Sequence, residues 1–180
     1  MWTYEADAET TAAPEALWRL WVDVEGWPAW NGDIERISID GPFAPGACIS
    51  MTPFGDDPIE LRIAEVVENE LFVDEADFGD VLIRTLHSIE PSGGGKVRVV
   101  YRTEITGPAA DEVGPRLGPE ITADFPDTIA ALIQHAESAA SPLAGGCMCQ
   151  AVRFEVSEPL LGALYSTASA ASGEPGAPSP

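Results

Sequence analysis

Short runs of alternating apolar and polar residues, separated by Gly, Pro, Asn and Asp, fill the sequence from residue 33 to residue 106. Alternation with a period of two is typical of strands with one buried face, and closely spaced turn residues are typical of antiparallel hairpins. Together with a similar run at residues 2–10, the pattern predicts an antiparallel sheet of about seven strands. The six later strands are predicted near residues 34–40, 46–53, 58–67, 70–78, 81–90 and 96–106.

The best-defined hairpin joins the last two of these runs, "LIRTLHSIE" and "KVRVVYRTEIT", through the glycine-rich turn "PSGGG". The predicted register places His87 opposite Val99 and Thr85 opposite Tyr101. Because side chains of a strand alternate between its two faces, Ile83 joins Thr85 and His87 on one face. We expect this face to be the inner, core-facing one.

Two helical regions flank the predicted strands. The first, "TTAAPEALWRLWVDVEGWPAW", contains Pro14 at a position suited to a first helical turn, and it predicts two short helices. The second region covers residues 109–140, where Gly-Pro pairs at 114–115 and 118–119 are predicted to interrupt the helix. Its remainder, "PEITADFPDTIAALIQHAESAA", predicts one long helix kinked at Pro126. This helix carries an apolar stripe of Ile121, Phe125, Ile129, Leu132, Ile133 and Ala136.

Residues 1–140 resemble the helix-grip superfamily, which includes START domains, the birch-pollen allergen family and the polyketide cyclase/dehydrase group. The resemblance rests on "APEALWRLWVDVEGWPAWNGDIERISIDGPFAPGA", on "HSIEPSGGGKVRVVYRTEITGP" and on "LGPEITADFPDTIAALIQHAE". It implies an α+β fold in which a curved antiparallel sheet of about seven strands wraps around a long C-terminal helix, with two short helices after the first strand.

The resemblance also implies a cavity between the sheet and the long helix that holds an apolar or aromatic small molecule. An alternative stays open, because apolar and aromatic stripes of this kind are often plain core. In that case the protein would be a non-catalytic interaction or stress-response module whose cavity is filled by its own side chains. The predicted ligand-binding residues are Trp27, Trp30, Met51, Ile83, Thr85, Val99, Thr103, Ile121, Phe125 and Ile129.

His87 and Tyr101 are the candidate catalytic residues. An inner-face imidazole beside Thr85 and Tyr101 suits an acid, a base or a hydrogen-bond donor to a bound carbonyl, as in cyclase or dehydratase chemistry. Alternatively, His87 is a structural side chain, and whether any reaction is catalysed stays open. No nucleotide-binding glycine motif occurs, because "SGGGK" lies in a hairpin with no helix after it. We expect no cofactor.

Acidic residues dominate the charged positions. With 30 Asp and Glu against 9 Lys and Arg, the formal net charge is −21, which repels nucleic acid and anionic membrane surfaces. No apolar run is long enough to cross a bilayer, and the N-terminal segment does not have the pattern of a signal peptide. Three unevenly spaced cysteines do not make a disulfide framework. The sequence therefore predicts a cytoplasmic protein without nucleic-acid or membrane partners.

The composition changes again near residue 141. The segment "GGCMCQAVRFEVSEPLLGALY" resembles the start of the glutathione-dependent formaldehyde-activating family, and Cys147 and Cys149 match that family's first two zinc-binding cysteines. The run that carries the other early ligands in that family is replaced by "STASAASGEPGAPSP". Residues 141–165 are therefore predicted to be a truncated strand segment of such a domain, and residues 166–180 a disordered tail.

One shifted reading frame accounts for this tail. Codons chosen for Ser166 to Gly176 and read from the third base permit the run His-Cys-Ile-Arg-Cys-Gln, which is a zinc motif. We hypothesise that one lost base, in the gene or in its reading, truncated a second domain. Zinc-dependent glutathione adduct formation is disfavoured, because Cys147 and Cys149 supply two ligands where zinc needs at least three. In a homodimer, two copies of the chain would share one zinc ion through these cysteines. The favoured alternative is that Cys147 and Cys149 are unpaired thiols on a strand.

Overall fold

The computed structural model describes residues 1–140, 143–146 and 153–156 of the 180-residue chain. Its elements, in chain order, are strand β1 (Trp2–Thr10), helix α1 (Pro14–Val22), a 3₁₀ helix (Val24–Ala29), strands β2 (Ile34–Asp40), β3 (Cys48–Pro53), β4 (Ile59–Val67), β5 (Leu71–Asp77), β6 (Leu82–Gly93) and β7 (Lys96–Thr106), helices α2 (Ala110–Ile121) and α3 (Phe125–Ala140), and strands β8 (Leu143–Gly146) and β9 (Arg153–Val156).

Seven strands form one antiparallel sheet in the order β1-β7-β6-β5-β4-β3-β2. Strands β2 to β7 form a meander, and β1 pairs with β7, so the first and last strands of the sheet are neighbours. Irregular registers near Arg36, Ala64 and Ser92 are β-bulges, which increase the local twist and curvature of a sheet. The predicted seven-stranded antiparallel sheet with two short helices after its first strand is confirmed.

The register of the β6–β7 hairpin differs by two residues from the predicted one. His87 lies opposite Tyr101 and Thr85 lies opposite Thr103. The reason is that β6 continues past the predicted turn as far as Gly93, which pairs with Lys96. Because the shift is an even number of residues, no side chain changes face, and the assignment to the inner face stands.

The C-terminal helices differ from the sequence prediction in two respects. Helix α2 runs through both Gly-Pro pairs without interruption, and residues 122–124 form a turn that separates it from α3. Pro126 is therefore not a kink, because it occupies the second position of α3, where a helix needs no backbone N–H. The long C-terminal helix is confirmed as α3 and begins at Phe125.

The core lies between α1, α3 and the concave face of the sheet. Its fully buried side chains include Leu17 and Trp21 of α1 and Leu132 of α3, which pack against residues such as Ile49 and Ile63 of the sheet. Burial of each such side chain stabilises the fold by about 1.5–3 kcal/mol. Among the described residues, no helix has the length and apolarity needed to cross a bilayer.

Two glycines explain how α2 lies against β1. A methyl group at Gly114 would lie 2.5 Å from Cβ of Trp2, and one at Gly118 would lie 2.5 Å from two ring atoms of Trp2. The Trp2 ring in turn stacks on Tyr4, with ring centroids 6.3 Å apart. The helix therefore approaches the first strand as closely as it does because these positions lack a side chain.

We expect Gly118→Ala to lower the free energy of unfolding by about 1 kcal/mol. Crowding against the Trp2 ring costs roughly 1–3 kcal/mol, which exceeds the gain of about 0.5–1 kcal/mol from replacing a helical glycine. Urea denaturation of wild type, Gly118→Ala, Trp2→Ala and the double variant measures the coupling energy between the two positions. In the Trp2→Ala background the same substitution should become neutral or stabilising, and equal effects in both backgrounds would contradict the packing explanation.

Strands β8 and β9 pair antiparallel in a separate two-stranded sheet, with Leu143 opposite Val156 and Gly146 opposite Arg153. Cys147 and Cys149 lie outside the described residues, as does the segment 166–180. The truncated zinc domain and the shifted reading frame therefore stay predictions.

Candidate functional site

A cavity of about 570 Å³ lies between the concave face of the sheet, the 3₁₀ helix and the segment that joins α2 to α3. Aromatic rings form much of its wall, with Trp27 and Trp30 on one side and Phe125 on another. The cavity extends to the loops after β3 and β5, where the side chains of Phe54 and Phe78 are 65% and 59% exposed. Exposed aromatic side chains beside an apolar cavity are suited to contact with a small molecule.

Most of the residues singled out from the sequence meet at this cavity. Its wall contains Trp27, Trp30, Met51, Ile83, Thr85, His87, Tyr101, Thr103, Ile121 and Phe125. Val99 and Ile129 are not among the residues that line it, since the structure places both in the packed core, with exposures of 0% and 1%. Val99 shares the inner face of β7 with Tyr101. The face of a strand can be predicted from alternation, but the position along the strand at which a cavity ends cannot.

Several wall residues were missed by the sequence analysis. Phe72, Asp74 and Ala76 alternate along β5 and share its inner face, so the period of two could have identified them. Asp33 and Asp124 also line the cavity but lie outside the strands and helices, where no periodic signal exists.

The His87 side chain is held on three sides. Its Nε2 lies 2.8 Å from Oδ2 of Asp74, the Phe72 ring stacks on it at 4.1 Å between centroids, and the Tyr101 ring meets it edge-on at 4.4 Å. In the tautomer in which Nε2–H donates this hydrogen bond to Asp74, Nδ1 of a neutral ring can accept one. Nδ1 is buried and has no partner in the part of the chain that the structure describes. A ligand must therefore reach Nδ1 if His87 is to remove a proton from it.

Tyr101 is tied to helix α1. Its hydroxyl oxygen accepts a hydrogen bond from Nε1–H of Trp21 at 3.1 Å, and its side chain is almost fully buried. Burial raises the pKa of Tyr101 well above its ordinary value, and the carboxylates of Asp74 and Asp124 raise it further, against the opposing effect of the Trp21 hydrogen bond. The phenol thus stays protonated at neutral pH and can donate a hydrogen bond, but it cannot serve as a base.

Two further polar contacts complete the wall. The hydroxyls of Thr85 and Thr103 lie 3.0 Å apart across the β6–β7 pair. Oδ2 of Asp124 accepts a hydrogen bond from the Thr128 hydroxyl at 3.0 Å. Burial raises the pKa of Asp124, and the nearby carboxylates of Asp33 and Asp127 add to the increase, while the Thr128 hydrogen bond partly offsets it.

The raised pKa of Asp124 has a consequence for stability. Because the folded state holds this proton more tightly than the unfolded state, stability is lost as pH rises from the ordinary value of 3.8 through the folded pKa. We therefore expect Asp124→Asn to increase the free energy of unfolding relative to wild type more at pH 7 than at pH 3.5, as measured by urea denaturation. Glu35→Gln on the exposed side of β2 is the control, and an equal change at both pH values in Asp124→Asn would contradict this expectation.

Within the described part of the chain, no group of three or more His, Cys, Asp or Glu side chains is arranged to hold a metal ion. Cys48 is exposed on β3, and the carboxylates of the cavity wall do not converge on one point with a third ligand.

Solved structures with the same fold were found by comparison. Norcoclaurine synthase from Thalictrum flavum, in complex with dopamine and hydroxybenzaldehyde, matches with a TM-score of 0.63 and 16% identity, over 77% of this chain and 88% of that chain. A START superfamily protein from Mycobacterium smegmatis matches with a TM-score of 0.58 and 17% identity, over 76% of this chain and 97% of that one. Ara h 8.0201 matches with a TM-score of 0.56 and 16% identity, over 76% and 97% of the two chains.

These matches show the fold and nothing more specific, since all three are below 20% identity. No protein-family model matches the sequence, and no curated protein matches it. The chain therefore has the helix-grip fold of the START and birch-pollen allergen proteins, which confirms the fold class implied by its sequence motifs.

Proposed function

We propose that this protein binds an apolar or aromatic small molecule in the cavity between the sheet and helices α2 and α3. The cavity itself carries the proposal. A volume of about 570 Å³ falls within the roughly 300–1,000 Å³ of ordinary small-molecule sites. Its wall combines aromatic faces, which can bury an apolar ligand, with polar side chains that can orient it.

The packing around the cavity supports the proposal. Side chains such as Leu132 and Ile49 are completely buried, so the sheet and helices pack closely where no cavity lies between them. A ligand bound in the cavity would cover exposed aromatic surface, including the side chains of Phe54 and Phe78, and burial of apolar surface favours binding. Norcoclaurine synthase, which shares the fold, is solved in complex with two aromatic molecules.

A catalytic version of the proposal rests on one observation. Nδ1 of His87 is buried and has no hydrogen-bond partner among the described residues, and Asp74 fixes the ring through Nε2. An oriented imidazole of this kind can act as a general base towards a ligand that reaches Nδ1, with Tyr101 donating a hydrogen bond to a developing oxyanion. Cyclase or dehydratase-like proton transfer is the class of reaction that this pair supports.

Fluorescence titration with N-phenyl-1-naphthylamine, a neutral aromatic probe whose emission rises in apolar surroundings, tests binding. We expect saturable binding of one probe per chain, and native mass spectrometry of the same sample should report the same stoichiometry. It should also detect a ligand retained from expression and show whether the protein is a homodimer. A folded protein that gives no saturable signal would overturn the proposal in favour of a core filled by its own side chains.

A further inference from the structure

We propose that the ligand of this cavity is a cation, a protonated amine carried on an aromatic or apolar body. This inference rests on the proposed function and adds the charge of the ligand. It follows from a comparison of the charged side chains that line the cavity with those on the convex face of the sheet.

Apart from His87 and Tyr101, every ionisable side chain on the described cavity wall is a carboxylic acid. These residues are Asp33, Asp56, Asp57, Asp74, Glu120 and Asp124, and no lysine or arginine of the described residues joins them. Asp74 is bonded to His87, whereas the others form no ion pair within the described part of the chain. An anionic ligand would meet these carboxylates without a compensating charge, while a cation would be attracted.

Most basic side chains of the sheet pair with acids outside the cavity. Arg62 and Arg84 pair with Glu75, Arg98 pairs with Glu90, and Lys96, the only lysine of the chain, lies 3.5 Å from Glu9. Glu75 and Arg84 alternate with the cavity residues of β5 and β6, so they lie on the opposite, convex face. The convex face is therefore largely neutralised by its own ion pairs, whereas the acids of the cavity are not.

Asp124 is the most suitable partner for a bound ammonium group. Its carboxylate is half-buried, accepts one hydrogen bond from Thr128 and is close enough to Asp33 for the two charges to repel. Tyr101, Asp74 and Asp124 all line the cavity, and both carboxylates raise the pKa of the Tyr101 phenol. An ammonium group near Tyr101 would donate charge-assisted hydrogen bonds to Asp124 and offset the repulsion between the acids.

The aromatic wall suits the rest of such a ligand. The rings of Trp27 and Trp30 lie 6.2 Å apart and tilted by 53°, and the Phe125 ring meets Tyr101 nearly edge-on at 5.5 Å. Faces of this kind bury an apolar body, and they also attract a cation within about 6 Å of a ring centroid. Charge and aromatic lining thus favour the same class of ligand.

Three probes that share a naphthalene ring test the inference. They are the cation 1-naphthylmethylammonium, the neutral alcohol 1-naphthylmethanol and the anion of 1-naphthaleneacetic acid. We expect the ammonium probe to bind at least about tenfold more tightly than the alcohol at 150 mM salt, the ratio given by a charge-assisted hydrogen bond. The acetate should bind more weakly than the alcohol. Isothermal calorimetry at pH 7 measures all three dissociation constants.

Variants separate the local carboxylate from the overall negative charge. Asp124→Asn should reduce the preference for the ammonium probe to within about threefold, while Glu35→Gln, which removes one exposed charge from β2 that does not line the cavity, should leave it unchanged. Asp33→Asn gives a second reading if Asp124→Asn folds poorly. Equal affinities of wild type for the ammonium and alcohol probes, or equal effects of Asp124→Asn and Glu35→Gln, would overturn the inference. If no naphthyl probe binds and N-phenyl-1-naphthylamine does not bind either, the proposed binding function itself fails.

Discussion

Replacing Trp21 with alanine is expected to lower the free energy of unfolding by about 3–5 kcal/mol, the range for removing a large aromatic side chain from a core. Trp21 is completely buried and its ring contacts those of Trp18, Phe72 and Tyr101. It also donates its indole N–H to the Tyr101 hydroxyl, so the substitution leaves that oxygen without its donor. Because Trp21 joins α1 to the sheet, this one substitution removes both the ring packing and the hydrogen bond between them.

Chemical denaturation followed by circular dichroism measures the effect. Val22→Ala is the matched control, since the neighbouring side chain on the same helix is 41% exposed and its truncation should cost no more than about 0.5 kcal/mol. Trp21→Phe keeps an aromatic ring and loses the hydrogen bond, so an intermediate loss is expected. A Trp21→Ala protein that is as stable as Val22→Ala would show that α1 is not fixed through this residue.

Filling the cavity is expected to abolish ligand binding. Ala76 faces the cavity from β5 and is 4% exposed, and it lies opposite Ile83 on the neighbouring strand. In Ala76→Trp an indole ring would occupy space that the proposed ligand needs. We expect the affinity for N-phenyl-1-naphthylamine to fall by at least about 100-fold, because a ligand that must displace a packed indole loses most of its apolar contact area.

A second tryptophan variant controls for the added side chain. Ser38→Trp places the same ring on the exposed face of β2, so its probe affinity should match that of wild type. Circular dichroism and native mass spectrometry would establish that both variants are folded and have the same oligomeric state. Retained probe affinity in a folded Ala76→Trp protein would mean that the probe binds outside this cavity.

The sheet could be predicted from the sequence because its signals are local and repeated. The alternation of Thr85, His87, Tyr101 and Thr103 gave the correct inner face, although the predicted register was wrong by two residues. Face depends only on whether a residue number is odd or even along a strand, so an even error is harmless. Register depends on where the turn begins, and three successive glycines at 93–95 do not define that point.

The features that were missed depend on contacts between distant segments. The glycines and prolines of α2 predict interruption when only local propensity is considered, but Gly114 and Gly118 are the positions at which the helix meets Trp2. The acidic residues of the cavity come from separate loops, from α2 and from β5, and no spacing along the chain reveals that Asp33, Asp74 and Asp124 lie on one wall. The charge proposed for the ligand could therefore be argued only from the folded structure.

The pairing of β1 with β7 determines when this sheet can be completed during synthesis. Trp2 lies opposite Ile105, so the first strand of this sheet to be synthesised has no partner until the last strand of the sheet has been made. Each strand from β3 to β7 can instead pair with the one just before it. Closing the long loop between Trp2 and Ile105 is entropically costly, and contacts of this range slow folding. The nascent chain thus holds an unpaired, alternating strand until residue 106 has emerged, which is the interval in which association with other chains competes with folding.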